Sequence, residues 1–244
     1  MGSAFEKDSE EDEAMNKYQK LLDYYKECFS LLDEFHFNSE TSRGVYERSL
    51  QSCNGKVLPI THGGIHDHRK KKTFGKDVLQ IGFVGNSTPY KGLPLLTAVL
   101  QEIGNVKSWN LSVWGGGVGK HSALPIYYKG KFDASTIADV YDAMDVLVVP
   151  SIWKETFSLV TLEALSYGVP VIVSDNVGAQ DIVKLYNPKF VYHSEEELKG
   201  LLMEMLADRG ILRDFNDSLL RQEWKYSLEE HAEEIVKWFY DNEK

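Results

Sequence analysis

From Val78 onward the chain alternates short unbroken apolar runs with segments of helical periodicity, and this alternation constrains the fold more than any other feature. The runs LQIGFVG (79–85), LSVWGGG (111–117), DVLVVPS (145–151), VPVIVSD (169–175) and KFVYHS (189–194) are dominated by Val, Ile, Leu and aromatic residues. Strands buried on both faces read this way, whereas a half-exposed strand alternates apolar with polar. Between them LPLLTAVLQEI (93–103), STIADVYDAM (135–144), SLVTLEALSYG (158–168) and AQDIVKLY (179–186) carry apolar groups at helical spacing. Strands alternating with helices build βαβ units, so the expected fold is α/β with a doubly wound parallel sheet over residues 78–244. Residues 195–241 add helices and no strand signal.

The first third reads differently. Residues 1–14 hold six acids and one lysine, which predicts a disordered acidic leader. Residues 15–35 place Leu21, Leu22, Tyr25, Cys28, Phe29 and Leu32 near helical spacing and predict an amphipathic helix. The aromatic FHF follows, with Ser39, Glu40 and Ser42 as helix-start candidates; KVLPITHGG reads as a short strand closing on a glycine turn, and HDHRKKKTFGKD as a linker.

The net charge of −10 is concentrated at the two ends, and residues 15–194 sum to +2. No clustered basic face is evident, which excludes phosphate-neutralising nucleic-acid binding while leaving room for a small anionic ligand. Two cysteines, Cys28 and Cys53, make no disulfide framework and no Cys-x-x-Cys pair, so a cytoplasmic setting is expected. No apolar stretch approaches bilayer length.

Ligands of doubly wound sheets bind at the carboxyl ends of strands, which confines the search to loops 85–92, 114–121, 129–134, 150–158 and 175–179. The stretch Gly115–Gly116–Gly117–Val118–Gly119–Lys120 is not a Walker A loop, because Trp114 and His121 stand where Gly and Ser or Thr are required. It is either a flexible loop or a place where backbone must approach a ligand. His62, His66 and His68 have loose metal-ligand spacing without a supporting Cys or Glu, and no Asp-x-Asp pair is available for a diphosphate-bound cation; no metal is expected. The nucleophile elbow Gly-x-Ser-x-Gly is absent.

The informative stretch is PSIWKETFSLVTLEALSYGVPVIVSDNVGAQDIV (150–183). A strand ends at Pro150, a loop carries Glu155, a helix starts near Phe157 or Ser158 and carries Glu163, and Gly168 with Pro170 closes it. Backbone N–H groups from Ser158 to Val160 then form an anion site that needs no metal. On spacing alone, the reading of the two acids as a solvent-facing loop acid and an exposed helix acid is the favoured one.

The Glu155-x7-Glu163 segment resembles the signature of the retaining GT-B glycosyltransferases of family 4, the group 1 type, which includes sucrose and glycogen synthase relatives and many bacterial polysaccharide biosynthesis enzymes. FVGNSTPYKGLPLL is similar to the first strand and phosphate loop of that family, LSVWGGG to its strand-then-glycine segment, and YKGKFDASTIADVYDAMDVLVVPS to its base-binding run. FHFNSETSRGVYERSLQSCNGKVLPITHGG is similar to the end of its amino-terminal domain and crossover. The likeness covers roughly residues 35–240.

The resemblance implies a Rossmann-like, nucleotide-sugar-binding domain at 78–244, the carboxy-terminal half of a GT-B enzyme, preceded at 15–77 by the end of the acceptor domain and the crossover. It implies transfer of a sugar from a nucleoside-diphosphate sugar, a UDP-sugar first among them, to a hydroxyl, with retention and with neither metal nor other cofactor. Glu155 and Lys91 would be catalytic, Glu155 holding donor-sugar hydroxyls and Lys91 the diphosphate. Glu163 would bind ribose, the backbone at Phe157, Ser158 and Leu159 the phosphates, Gly85 would admit them, and the base would rest near Lys129–Phe132. Asn86 stands where the family usually has Arg, which costs a charge-assisted bond worth about 1.5–3 kcal/mol unless Ser87 and Thr88 compensate. The partners implied are the donor and an amino-terminal acceptor domain missing from this chain, with membrane association only through that missing part. The alternatives are a non-catalytic GT-B-like binding or assembly module and, third, a nucleotide-sugar epimerase.

Overall fold

The computed structural model describes residues 2–50, 53–75, 77–121 and 123–240. In chain order the elements are α1 (Gly2–Ser30), β1 (Phe35–Phe37), α2 (Glu40–Leu50), β2 (Gly55–Val57), β3 (Leu79–Val84), α3 (Leu93–Ile103), β4 (Trp109–Trp114), β5 (Val118–Lys120), β6 (Ile126–Gly130), α4 (Ile137–Asp142), β7 (Val146–Val149), α5 (Leu159–Ser166), β8 (Val171–Ser174), α6 (Gln180–Tyr186), β9 (Val191–Tyr192), α7 (Glu195–Ala207), α8 (Gly210–Arg221) and α9 (Leu228–Phe239).

The main sheet has the order β5-β6-β4-β3-β7-β8-β9. Every residue of β7 and β8 is buried, as expected of strands covered on both faces. The sheet is parallel except at one edge, which departs from the all-parallel expectation: Val118–Lys120 pairs antiparallel with Tyr127–Lys129 of β6. Only residues 121–125 separate β5 from β6, a connection too short for the crossover that parallel pairing needs. Part of the stretch read as a glycine loop is thus an exposed edge strand.

The amino-terminal portion is a second unit. Strands β1 and β2 pair in parallel, with α2 as their crossover. Phe29 of α1 meets Phe35 and Tyr46 at ring separations of 5.6 and 5.7 Å. The expectation of a disordered acidic leader is corrected by a helix that begins at Gly2. From Ser3 to Ser30 no glycine or proline interrupts the chain, and Glu, Lys, Ala, Met and Leu are good helix formers. That helix ends at Ser30, short of the expected Phe35, and the KVLPITHGG strand is confined to its first residues.

The unit is tied to the main sheet at both ends. Ser39 Oγ donates to the Thr156 carbonyl (2.7 Å), and the Glu40 N–H donates to Asp181 (2.9 Å). The last helix returns to it: Lys56 donates to the Trp238 carbonyl (2.8 Å), and His36 packs on His231 and Phe239 of α9. No helix among the described residues is long and apolar enough to cross a membrane.

Candidate functional site

Strands β3 and β7 are neighbours in space, yet the sheet grows from β3 through β4 in one direction and from β7 through β8 in the other. Loops leaving two such strands diverge over opposite faces and open a crevice at their carboxyl ends. Here the two loops are pinned together. Gly92 has φ +77°, and a Cβ there would lie 1.7 Å from the Pro150 carbonyl oxygen, so only glycine allows this approach. The Ile152 N–H donates to the Tyr90 carbonyl at 3.0 Å.

That approach brings Lys91 to Glu155. The Lys91 ammonium donates to Glu155 Oε1 at 2.9 Å, and Ser151 Oγ donates to the same oxygen. The side chains are 31% and 8% exposed, so the pair is well shielded but open on the lysine side. The Glu155 backbone is fixed as well: its N–H donates to the Asn176 carbonyl (2.9 Å), and its carbonyl accepts from the Gly178 N–H (3.1 Å).

Helix α5 begins immediately beyond, at Leu159 with Ser158 as its N-cap, where a start near Phe157 or Ser158 is expected. Phe157 is buried and its carbonyl accepts from the Ala179 N–H at 2.8 Å, which holds the loop against β8. Ser158, the N-cap, has φ +104°, a left-handed conformation that costs a non-glycine residue about 1–3 kcal/mol and concentrates at functional loops. First-turn N–H groups of a helix have no intrahelical acceptor and carry the positive end of its dipole. Leu159 and Val160 carry those groups, four and five residues after Glu155 in the chain.

Glu163 lies one turn further on, 16% exposed, and both of its oxygens are engaged. Tyr141 O–H donates to Oε2 at 2.7 Å. His62 Nε2 lies 3.2 Å from Oε1, while His62 Nδ1 accepts the Gly64 N–H at 3.0 Å. An acceptor role at Nδ1 leaves the proton on Nε2, so the imidazole donates to the carboxylate. Burial, reinforced by the adjacent Glu163 charge, pushes the Tyr141 phenol well above its ordinary range and keeps it a donor. Tyr141 stacks on Tyr167, and Tyr167 stacks on His68.

Neither His62 nor Tyr141 was marked by sequence as a partner of Glu163. His62 stood out only for its spacing to His66 and His68, and Tyr141 sits in an ordinary helical pattern. The remaining expected positions lie at and beyond the ends of β3, β4 and β6. Gly85 closes β3, its N–H donating to the Trp114 carbonyl at 3.0 Å. Asn86 Oδ1 accepts from the Thr88 hydroxyl at 2.9 Å, so the amide is used to shape the loop. A Cβ on Gly115 would lie 2.6 Å from the Gly85 carbonyl, so the glycine-rich stretch serves close approach of two backbones. A cavity of about 430 Å³ is lined by Trp114, Lys129, Lys131, Phe132 and Thr136, and includes the segment expected to meet the base.

The family model for glycosyl transferases group 1 matches residues 65–219, more than half of the chain. The chain belongs to this family. Among curated relatives, this group 1 chain is 36% identical over 147 residues to a GDP-mannose-dependent alpha-mannosyltransferase of Mycobacterium tuberculosis, covering 58% of this chain and 35% of the relative. It is 28% identical over 173 residues to an uncharacterized glycosyltransferase of Methanocaldococcus jannaschii, covering 66% and 44%. Among solved structures, a sucrose-phosphate synthase from Thermosynechococcus elongatus superposes with a TM-score of 0.68 at 19% identity, over 90% of this chain and 60% of that one. Anabaena HepE, solved in complex with UDP and glucose, gives a TM-score of 0.66 at 15% identity, over 83% and 61%. The fold is accordingly that seen in GT-B glycosyltransferases, over part of their length, and the chain spans less than half the length of the curated relatives it matches.

Proposed function

We propose that the chain is the donor-binding half of a retaining glycosyltransferase that moves a sugar from a nucleoside-diphosphate sugar to a hydroxyl acceptor without a metal or other cofactor. The carrying observation is the Lys91–Glu155 pair held at the β3–β7 switch point in front of the α5 amino terminus. In this reading the Lys91 ammonium and the N–H groups at the start of α5 receive the diphosphate and stabilise the charge it gains on departure. Both are in place before reaction, and groups held ready in a partly shielded site cost little reorganisation. Glu155, released in part from Lys91 by the incoming phosphate, accepts hydroxyls of the donor sugar.

Glu163 accepts the ribose hydroxyls. A carboxylate offers about four lone-pair directions, of which Tyr141 and His62 use two. The base occupies the cavity between Trp114 and Phe132. UDP-sugars are the first donors to test, and GDP-mannose the second, on the strength of the UDP complex of one structural relative and the donor named for one curated relative.

The β1–α2–β2 unit, within residues 15–77, is read as the last piece of the acceptor domain, with the rest supplied outside this chain. The setting proposed is cytoplasmic, where Cys28 and Cys53, both free, remain thiols. A thermal-shift panel of UDP, GDP and ADP and their sugars tests the proposal: at least one diphosphate raises the melting temperature, and no shift with any of them overturns it.

A further inference from the structure

Two aromatic rings stand exposed at the rim of the same crevice. Tyr90 precedes Lys91 in the loop after β3, and Trp153 lies two residues before Glu155 in the loop after β7. Their ring centroids are 5.5 Å apart at 22°, a stacked pair, and they remain 56% and 51% exposed. Ile152, also exposed, lies between them in chain contact, its N–H fixed on the Tyr90 carbonyl. The platform is therefore built by the same loop-to-loop junction that positions the charged pair. Large aromatics left half in water beside a polar crevice mark a surface that something covers.

We infer that this pair is a carbohydrate platform that receives a neutral pyranose ring of the acceptor, and the inference rests on the donor-site reading above. A pyranose presents one face of C–H groups and a rim of hydroxyls, so it needs a flat apolar surface with polar atoms at its edge. Tyr90 and Trp153 provide the surface and the Tyr90 hydroxyl an edge partner. Neither Tyr90 nor Trp153 carries a charge, and the adjacent Lys154 ammonium donates to the Asp175 carbonyl at 3.5 Å. A neutral ring is thus favoured over a charged headgroup. The position, one residue from Lys91, assigned to the departing diphosphate, and two from Glu155, assigned to the donor sugar, places the acceptor ring next to the sugar being transferred.

Saturation-transfer difference NMR on the full chain, with methyl α-D-mannopyranoside and methyl α-D-glucopyranoside as probes in the presence of UDP, tests the platform. Saturation is expected on the ring C–H protons of at least one glycoside. It falls at least fivefold in Trp153→Ala and in Tyr90→Ala and largely returns in Trp153→Phe, while UDP affinity stays within twofold. Nucleotide binding with no glycoside saturation, or with saturation unchanged in both alanine variants, overturns the platform and leaves the donor site standing. Glycoside saturation without binding of any nucleotide overturns the donor-site reading instead. Co-sedimentation with phosphatidylglycerol vesicles that is lost in Trp153→Ala would make the pair a membrane anchor and also overturn the platform.

Discussion

The two acids of the Glu155-x7-Glu163 segment share a residue type and a helix entrance, but they sit in opposite electrostatic settings. Glu155 is held by a cation across the gap between two loops. Glu163 is held by a phenol and by an imidazole whose tautomer makes it a neutral donor. A charged partner can be competed away by an incoming anion, whereas neutral donors orient a carboxylate and leave its charge intact. The difference separates a responsive end, suited to the diphosphate and the sugar, from a preset end, suited to the nucleoside.

Lys91→Ala breaks the responsive end and has the largest expected effect. It leaves the shielded Glu155 without its cation and removes the ammonium proposed to receive the phosphates. Nucleotide and nucleotide-sugar binding weaken by about 1–3 kcal/mol, roughly 5- to 150-fold, on the scale of a lost charged hydrogen bond. Calorimetric titration of both ligands checks this; unchanged affinity would dissolve the distinction between the two ends.

Glu155→Ala sharpens it. Binding of the matching nucleotide-sugar falls by about 1–3 kcal/mol, while binding of the bare nucleoside diphosphate falls less, because Lys91 is then free for the phosphates. Equal losses for the two ligands would place Glu155 at the phosphates instead of the sugar.

Tyr141→Phe tests the preset end with a change of one oxygen. The buried Glu163 Oε2 loses its 2.7 Å donor, and folding stability falls by about 1 kcal/mol, read by urea denaturation. Nucleoside diphosphate affinity falls a few-fold and by the same factor with or without the sugar. His62→Ala is the mildest of the series, about 0.5 kcal/mol, since its bond to Glu163 is longer and the ring partly exposed. A larger loss in His62→Ala than in Tyr141→Phe would mean that the crossover segment, rather than the buried phenol, orients Glu163.

Sequence revealed those parts of the fold where burial leaves a pattern. β7 is apolar throughout, and β3 and β8 nearly so but for Gln80 and Ser174, because both faces are covered, and α3 begins and ends as its periodicity says. β5 left no trace, being three exposed residues in a glycine-rich stretch that pair only because β6 runs alongside. The helix at the amino terminus was legible from Met15 onward, while its first residues were hidden by their acidity, which composition reads as disorder.

At the site, Glu155, Glu163 and Lys91 were each visible in the sequence, but their partners were not. Lys91 and Glu155 are 64 residues apart in the chain, and His62 and Glu163 are 101 apart. Only the strand order and the close approach at Gly92 bring them together. The helical spacing of α4 likewise marks Tyr141 as a buried residue without saying which polar atom its hydroxyl will meet.

The account turns on the Lys91–Glu155 crevice as a diphosphate site. Titration calorimetry of UDP, with GDP in parallel, into the wild-type chain and Lys91→Ala tests it most directly. Measurable binding of at least one of the two to the wild type is expected, with a loss of about fivefold or more in the variant, on the scale of a lost charged hydrogen bond. Binding of equal strength in both proteins, or no binding of either nucleotide to the wild type, would contradict it.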